Sequence, residues 1–320
     1  MAELLLVRYG ELALKSPPVR REFEATLRRN IVQQFVRASL DLRIRSDRGH
    51  LYAEVDDARR AVPLLRRVFG VTSVSPVHEV ATDRAEIRAR LLELAEPRLA
   101  AGASFAVRAR RTGNHPFTSQ ELARDLGSDV LEAWPDRRLR VDLSTPDVEL
   151  FVEVRGPRTY LYFDRASGPG GLPLGVAGPL VALVDGPRGA LGAYLLMKRG
   201  CRVGVVATPA GVPFVAGTLA RFDPAVRVVE AGAEPASVDE ALRSLARTVR
   251  ADGVVLPLRV EEYPAARSVW GETLVFSPTV GLSDEEVTRR WREVAMLADD
   301  GPGGPPPAEP AGPPPAARQV

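Results

Sequence analysis

The chain of 320 residues has one cysteine, Cys201, and three histidines, His50, His78 and His115. A lone thiol excludes an intrachain disulfide framework and any cysteine-based metal site. Histidines this scattered give no zinc-ligand spacing, so no metal is expected. Lysine occurs only at Lys15 and Lys198. The positive charge is therefore almost all arginine, whose planar guanidinium suits bidentate phosphate contacts, although Arg, Ala and Pro richness also follows from genomic base composition. No run approaches the ~18 uninterrupted apolar residues of a membrane helix. The N-terminal MAELLLVRYGELALK lacks a basic n-region followed by a long apolar run, which argues against a secretory signal. A cytoplasmic protein with no membrane partner is the expectation.

What remains is ordinary soluble composition, 45% hydrophobic and 26% charged, with length enough for two or three domains. The net charge of +2 is uneven: residues 1–168 hold 28 Lys/Arg against 24 Asp/Glu, and residues 169–320 hold 15 against 17. A mildly basic N-terminal half permits a nucleic-acid partner without establishing one.

Residues 3–9 read as a buried strand. A helix follows from Pro17 and Pro18, behind Ser16 as N-cap, to about Ala38. Phe23, Leu27, Ile31, Val32 and Phe35 recur on one face of it. Leu40–Arg45, the turn Asp47-Arg48-Gly49 and Leu51–Val55 make a hairpin. A helix over Ala58–Phe69 and a strand over Val71–Val80 complete the order β-α-β-β-α-β, the ferredoxin-like pattern. The second unit has helices over Ala85–Leu99 and Thr118–Ala133, with Thr118 or Ser119 capping the latter and Glu121 near N3. Its strands fall at Ser104–Arg110, Arg138–Leu143, Glu149–Val154 and Thr159–Phe163. Arg165–Pro173 is a glycine- and proline-rich hinge.

From Leu174 apolar strands alternate with helical patterns (Val212–Arg221 helical, Val238–Ala251 a helix, Ser283 capping Ser283–Ala298), which argues for a doubly wound parallel sheet. Its first turn, LVDGPRGALGAYLLMKRG at Leu183–Gly200, joins a strand, a glycine loop and a helix N-terminus. Such a junction is an anion site in outline, because free amides and the helix dipole converge there; a tight turn of an α/β domain gives the same pattern. Cys201, heading into a strand, reads as a small buried hydrophobe. From Asp299 the sequence is Pro/Gly/Ala low complexity and reads as a disordered tail.

VRYGELALKS, PPVRREFEATLRRNI, FAVRARRTGNHPFTSQEL, VDLSTPDVELFVEVRGPRTYLYFD, GPGGLPLGVAGPLVALVDG and AYLLMKRGCRV follow one another in the order and spacing of one family. The chain resembles the tRNA 4-thiouridine synthases (tRNA sulfurtransferases), specifically over residues 1–205 and loosely to 298. The resemblance implies an α/β protein with a ferredoxin-like α+β domain at 1–80, a THUMP RNA-binding domain at 81–166, a Rossmann-like, PP-loop-like parallel-sheet domain at 174–298, and a tail at 299–320. It implies tRNA as partner, bound at the acceptor-stem and 3′ end, where recognition runs through phosphates, 2′-hydroxyls and shape. Arg108 and Arg110 on a strand, with Arg111, Asn114 and His115 in the loop after it, are the candidate RNA contacts. Arg20, Arg21 and Arg165 join them. A solvated arginine face is the alternative for each.

The family's enzymatic step adenylates a uridine with ATP through a Ser-Gly-Gly-x-Asp-Ser loop, after which sulfur displaces AMP. In register, Val184, Asp185, Gly186, Pro187, Arg188 and Gly189 stand on that loop, and only Gly186 is retained. Val184 and Gly189 replace hydroxyls, Arg188 replaces the acid, Pro187 removes an amide donor, and Asp185 adds negative charge where phosphate would sit. Arg188 could still attract an anion. Downstream, in SPTVGLSDEEV, Leu282, Ser283 and Asp284 stand where the family has a basic residue. The family's sulfur-carrying cysteine pair or rhodanese domain has no counterpart. The expectation is a tRNA-binding pseudoenzyme that needs no cofactor, whose protein partner is a second copy or an active modifying enzyme. The alternative is an active sulfurtransferase, using ATP with Mg2+ for 4-thiouridine formation and thiamine thiazole sulfur transfer through an atypical loop.

Overall fold

The computed structural model describes residues 2–11, 15–47 and 49–299; Arg48 of the expected turn and the tail from 300 lie outside them. In chain order the elements are β1 (Glu3–Tyr9), α1 (Pro17–Arg37), β2 (Arg43–Asp47), β3 (His50–Val55), α2 (Ala58–Leu65), β4 (Val71–Ala81), α3 (Arg84–Ala95), β5 (Ser104–Thr112), α4 (Ser119–Ala133), β6 (Arg140–Val141), β7 (Val148–Arg155), β8 (Arg158–Tyr162) and β9 (Ala166–Ser167). The C-terminal part adds β10 (Ala177–Val184), α5 (Pro187–Lys198), β11 (Cys201–Ala207), α6 (Val212–Phe214), α7 (Ala220–Phe222), β12 (Val228–Glu230), α8 (Pro235–Val249), β13 (Gly253–Val255), α9 (Tyr263–Trp270), β14 (Leu274–Phe276) and α10 (Asp284–Ala298). Two compact units result. One comprises the residues up to 8 with 38–62 and 74–165; the other comprises 9–37, 63–73 and the chain from 166.

In the first unit the strand order β2-β3-β1-β4 is the ferredoxin-like arrangement expected from the βαββαβ sequence. The sheet continues as β4-β8-β7-β5-β6. β5 runs parallel to β7, pairing Phe105 with Val148 through Thr112 with Arg155. Helices α3 and α4 supply Ile87, Leu91, Leu122, Leu126 and Val130 to a core with Phe105, Val107, Leu150 and Val152. The expected strand Arg138–Leu143 shrinks to two residues. Arg138 is left-handed (φ 51°) after a 3-10 turn at Pro135–Arg137, and Asp142 bends the chain by accepting the amides of Ser144 and Thr145.

In the second unit all five strands are parallel, in the order β12-β11-β10-β13-β14. This is the doubly wound 3-2-1-4-5 topology, whose switch point lies between β10 and β13. α5, α10 and Val215, Leu219 and Phe222 cover one face; α8 and α9 cover the other with Leu242, Leu245 and Trp270. The helix expected at Val212–Arg221 is broken by a π-helical stretch, Val215–Leu219. α9 escaped sequence reading, although Tyr263, Ala266 and Trp270 form a short apolar stripe on it that packs into this face.

Helix α1 belongs to this second unit. The Asn30 amide donates to the Leu174 carbonyl at 3.0 Å, and Gln34 donates to the carbonyls of Arg221 and Phe222. Arg67 donates to the Ala298 carbonyl at 2.8 Å. Phe69, Tyr194 and Phe222 pack ring to ring at 5.1–5.3 Å. Leu27, Ile31 and Phe35 are buried as expected, but Val32 is 45% exposed. One residue past Ile31 is about 100° further round the helix, outside the i, i+4 stripe.

Candidate functional site

Alternation along β5 sends Phe105 and Val107 into the α3/α4 core and Arg108 and Arg110 to the other face. Arg108 is held there: Nε donates to Glu149 on β7 at 2.9 Å and Nη2 to the Leu143 carbonyl at 2.7 Å. Its guanidinium is thus partly paired within the fold, and its side chain remains 36% exposed. Arg110 and Arg111 are exposed, and Arg111 donates to the Gly113 carbonyl at 3.1 Å. Gly113 takes φ 102°, a left-handed value that favours glycine at this turn. Asn114 is exposed on it. His115 contacts the Thr112 carbonyl at 3.2 Å and stacks on Phe117, with ring centroids 5.6 Å apart. The N-terminus of α4 is closed by a capping box between Thr118 and Glu121. Hydrogen bonds from Thr118 hold the Glu121 carboxyl below the usual carboxylate range. An anion at this helix end would therefore meet a carboxylate.

Arg110 and Arg165, far apart in sequence, both act electrostatically on Tyr162, with Arg8 over its ring at 4.6 Å. Burial pushes the Tyr162 hydroxyl up while these arginines pull it down, and the net direction is up. Arg8 heads a buried network that sequence reading missed. It donates to Ser75 Oγ at 3.0 Å and Glu153 Oε2 at 3.2 Å, and Arg155 donates to Glu153 Oε1 at 2.7 Å and meets His50 Nε2 at 2.8 Å. Burial alone would raise Glu153, but Arg8, Arg155 and His50 outweigh it and hold the carboxyl low. The one sequence signal was a charged residue within apolar strands. Arg20, half-buried, and Arg21, exposed, lie on α1 in the second unit.

The loop after β10 sits at the carboxyl end of the strands, at the switch point where doubly wound sheets take ligands. Val184 is fully buried. Desolvation by the surrounding loop, with repulsion from Glu262, holds Asp185 above the usual carboxylate range. Gly186 precedes α5 with extended backbone, and a Cβ there would meet nothing within 4 Å. Gly189 is the sterically demanded glycine, since a Cβ would stand 2.4 Å from the Leu183 carbonyl oxygen. Gly211 closes the same strand end, because its Cβ would lie 1.7 Å from the Val184 carbonyl oxygen.

Arg188 is 9% exposed. Its Nη1 donates to the Thr279 carbonyl at 2.6 Å; its Nη2 donates to the Leu282 carbonyl at 2.8 Å and to Asp284 at 2.9 Å. Arg259 donates to the other Asp284 oxygen at 2.6 Å. The expectation that Arg188 could attract an anion is thus corrected: its donors are turned onto the segment after β14. Cys201 is buried, and desolvation pushes its thiol up, away from the thiolate. Among the described residues no cluster of His, Cys, Asp and Glu could hold a metal ion, and no helix is long and apolar enough to cross a membrane.

Comparison with known proteins places these two regions. Residues 4–75 match the family profile of the ThiI ferredoxin-like domain, and residues 81–164 match that of the THUMP domain. The chain is a relative of the tRNA sulfurtransferases. Over 207 residues it is 39% identical to a probable tRNA sulfurtransferase of Methanothermobacter thermautotrophicus, covering 63% of this chain and 51% of that protein. Over 209 residues it is 37% identical to the tRNA sulfurtransferase of Pyrobaculum aerophilum, covering 64% and 41%. The matched region thus spans about half the length of these curated relatives. Among solved structures, PH1313 from Pyrococcus horikoshii superposes with a TM-score of 0.76 at 27% identity, covering 91% of this chain and 99% of that one. A 4-thiouridine synthetase in complex with RNA and with bound ATP superposes with a TM-score of 0.75, covering 94% and 86%. At 21% identity the second likeness is one of fold. The residues matched to the THUMP domain include β5 and the arginine-bearing loop.

Proposed function

We propose that the chain is a tRNA-binding protein that engages the acceptor-stem and 3′ end through its ferredoxin-like and THUMP domains and has lost the adenylation step. It holds or presents tRNA for an active modifying enzyme. Binding rests on Arg110 and Arg111 as phosphate donors, on Arg108 as a braced neighbour, and on Asn114 and His115 in the turn. Each is a donor or a ring suited to phosphate, 2′-hydroxyl and base-face contact.

One observation carries the loss of adenylation. Arg188, standing at the loop's acidic position, is buried against two carbonyls and Asp284. Asp284 belongs to the stretch Leu282, Ser283 and Asp284, which stands where the resembled family has a basic residue. Arg188 and this stretch bind each other, through the Leu282 carbonyl and the Asp284 carboxylate. A pyrophosphate entering this loop would meet no free donor from Arg188, a proline at the first helical position and the carboxyl of Asp185.

The test uses the full chain with tRNA and γ-labelled ATP. The expected result is tRNA retardation at low salt with no pyrophosphate release. Affinity should fall with salt as phosphate contacts displace counterions, and Arg110→Ala with Arg108→Ala should weaken it. Pyrophosphate release would overturn the loss of adenylation and restore the active sulfurtransferase reading. Unchanged binding in the double variant would remove the RNA assignment.

A further inference from the structure

At the amino-terminal edge of the C-terminal sheet lies a cavity of about 320 Å3. Pro179 at the start of β10 is in its wall, so it is separated from the 184–189 loop by about 17 Å of strand, at ~3.3 Å per residue. It is a different place from the nucleotide position at the carboxyl edge. Its floor is apolar, made by Val203 on β11, Val226 before β12 and Val249 at the end of α8. Its charged groups are Arg202, Asp223 and Arg227.

Two of these hold each other. Asp223 is 3% exposed. Its Oδ1 accepts the Ala225 amide at 3.0 Å, and its Oδ2 accepts from Arg202 at 3.4 Å. Arg202 also donates to Asn30 Oδ1 at 3.3 Å. Arg227 differs. Its backbone is fixed, because its carbonyl accepts the Val205 amide at 2.8 Å. Its side chain is exposed, and among the described residues its guanidinium has no hydrogen-bond or ion-pair partner. The lining therefore combines an apolar floor with one positive charge uncompensated, Arg202 and Arg227 against Asp223, on a residue whose backbone is fixed. The volume is at the lower end of small-ligand pockets.

We propose that this cavity binds a small organic monoanion, a carboxylate with a flat or branched apolar body. Arg227 holds the carboxylate by a charge-assisted, two-pronged contact, and the three valines seat the body. Arg202 and Asp223 form the fixed wall. The site is independent of the RNA and nucleotide readings, since none of its residues takes part in either.

The test titrates sodium benzoate into the full chain by isothermal calorimetry and by amide chemical-shift mapping, with inorganic phosphate as the second probe. Saturable binding at one site is expected, with shifts at Val203, Val226 and Val249, and phosphate should not displace benzoate. Arg227→Ala should weaken benzoate about tenfold or more, the effect of losing a hydrogen bond to a charged group, and Arg227→Lys should weaken it less. Thr248→Trp, on the exposed last turn of α8 at the cavity mouth, should abolish binding with the melting temperature unchanged. No binding at millimolar benzoate, or the same affinity in Arg227→Ala, overturns the proposal. Equal binding of phosphate overturns the requirement for an apolar body.

Discussion

Replacing Arg188 by alanine is the most direct perturbation of the C-terminal unit. The guanidinium is buried and donates to the Thr279 carbonyl at 2.6 Å and to the Leu282 carbonyl at 2.8 Å. Hydrogen bonds from a charged group are worth about 1.5–3 kcal/mol each. Taking the low end for each carbonyl gives a loss of about 3 kcal/mol. The contact to Asp284 is left out, because that carboxylate is well exposed and keeps Arg259, and exposed ion pairs contribute little. For a unit of this size, each kcal/mol moves the midpoint by about 2–4 °C, so Arg188→Ala should lower it by about 6–12 °C. The assay is thermal unfolding followed by Trp270 and Trp291 fluorescence in a Trp134→Phe background, which removes the tryptophan of the other unit. Asp284→Ala should cost clearly less, since Arg188 retains both carbonyls. A shift below about 2 °C in Arg188→Ala would mean that Arg188 is not built into the fold and that its donors stay available to an anion at the loop.

The two loop glycines separate by sterics. Gly189→Ala should destabilise the C-terminal unit by about 2 kcal/mol or more through backbone overlap, while Gly186→Ala should stay within about 0.5 kcal/mol, both read by urea denaturation. Glu153 should confer a pH dependence on the first unit. Its folded carboxyl is held low, so its contribution is present above the ordinary carboxylate value of about 4.3 and is lost as pH falls through the lower folded value. The stability gap between the natural protein and Glu153→Gln should therefore be full at pH 7 and close below pH ~4; a gap that persists or grows in acid contradicts the network. For RNA, Arg110→Ala and Arg111→Ala should each weaken tRNA binding and lower the salt slope by about 1, measured by filter binding across salt concentrations. With Mg2+ and ATP at saturating concentration, the melting temperature should not move, whereas a bound ligand at one hundred times its Kd would add about 2.7 kcal/mol.

The contact between Arg188 and Asp284 bears on what this loop can receive. A helix N-terminus and a glycine loop can by themselves take an anion. Arg188 commits Nη1 to the Thr279 carbonyl and Nη2 to the Leu282 carbonyl and Asp284, all on the segment after β14. The scaffold of β10, turn and α5 remains because it carries core residues of the sheet: Leu180, Ala182, Val184, Ala190, Leu191 and Ala193 are all buried in one cluster. Packing thus fixes the loop's shape independently of the side chains at its mouth.

The elements themselves were legible in the sequence, because strand alternation and helical stripes are written in neighbouring residues. β5 with Phe105 and Val107 inward, α4 behind Thr118, and α10 behind Ser283 all follow from spacing and capping within a few positions. The βαββαβ order and the alternation after Leu174 likewise pointed to a ferredoxin-like sheet and a doubly wound parallel one, since connections between strands have few allowed routes, while the continuation of the first sheet through β8, β7, β5 and β6 came only from the structure. Tertiary structure alone decided what the charged residues do. Arg188 reaches partners 91 to 96 positions away, Arg108 closes on Glu149 and Leu143, and Arg8 meets Glu153 across 145 positions. A guanidinium on a long flexible stem takes whichever acceptor the fold brings within hydrogen-bond reach, and no local pattern encodes that choice. The same holds for Gly189, whose necessity comes from a carbonyl approaching it in space, and for α1, whose Asn30 and Gln34 bind carbonyls of the C-terminal unit.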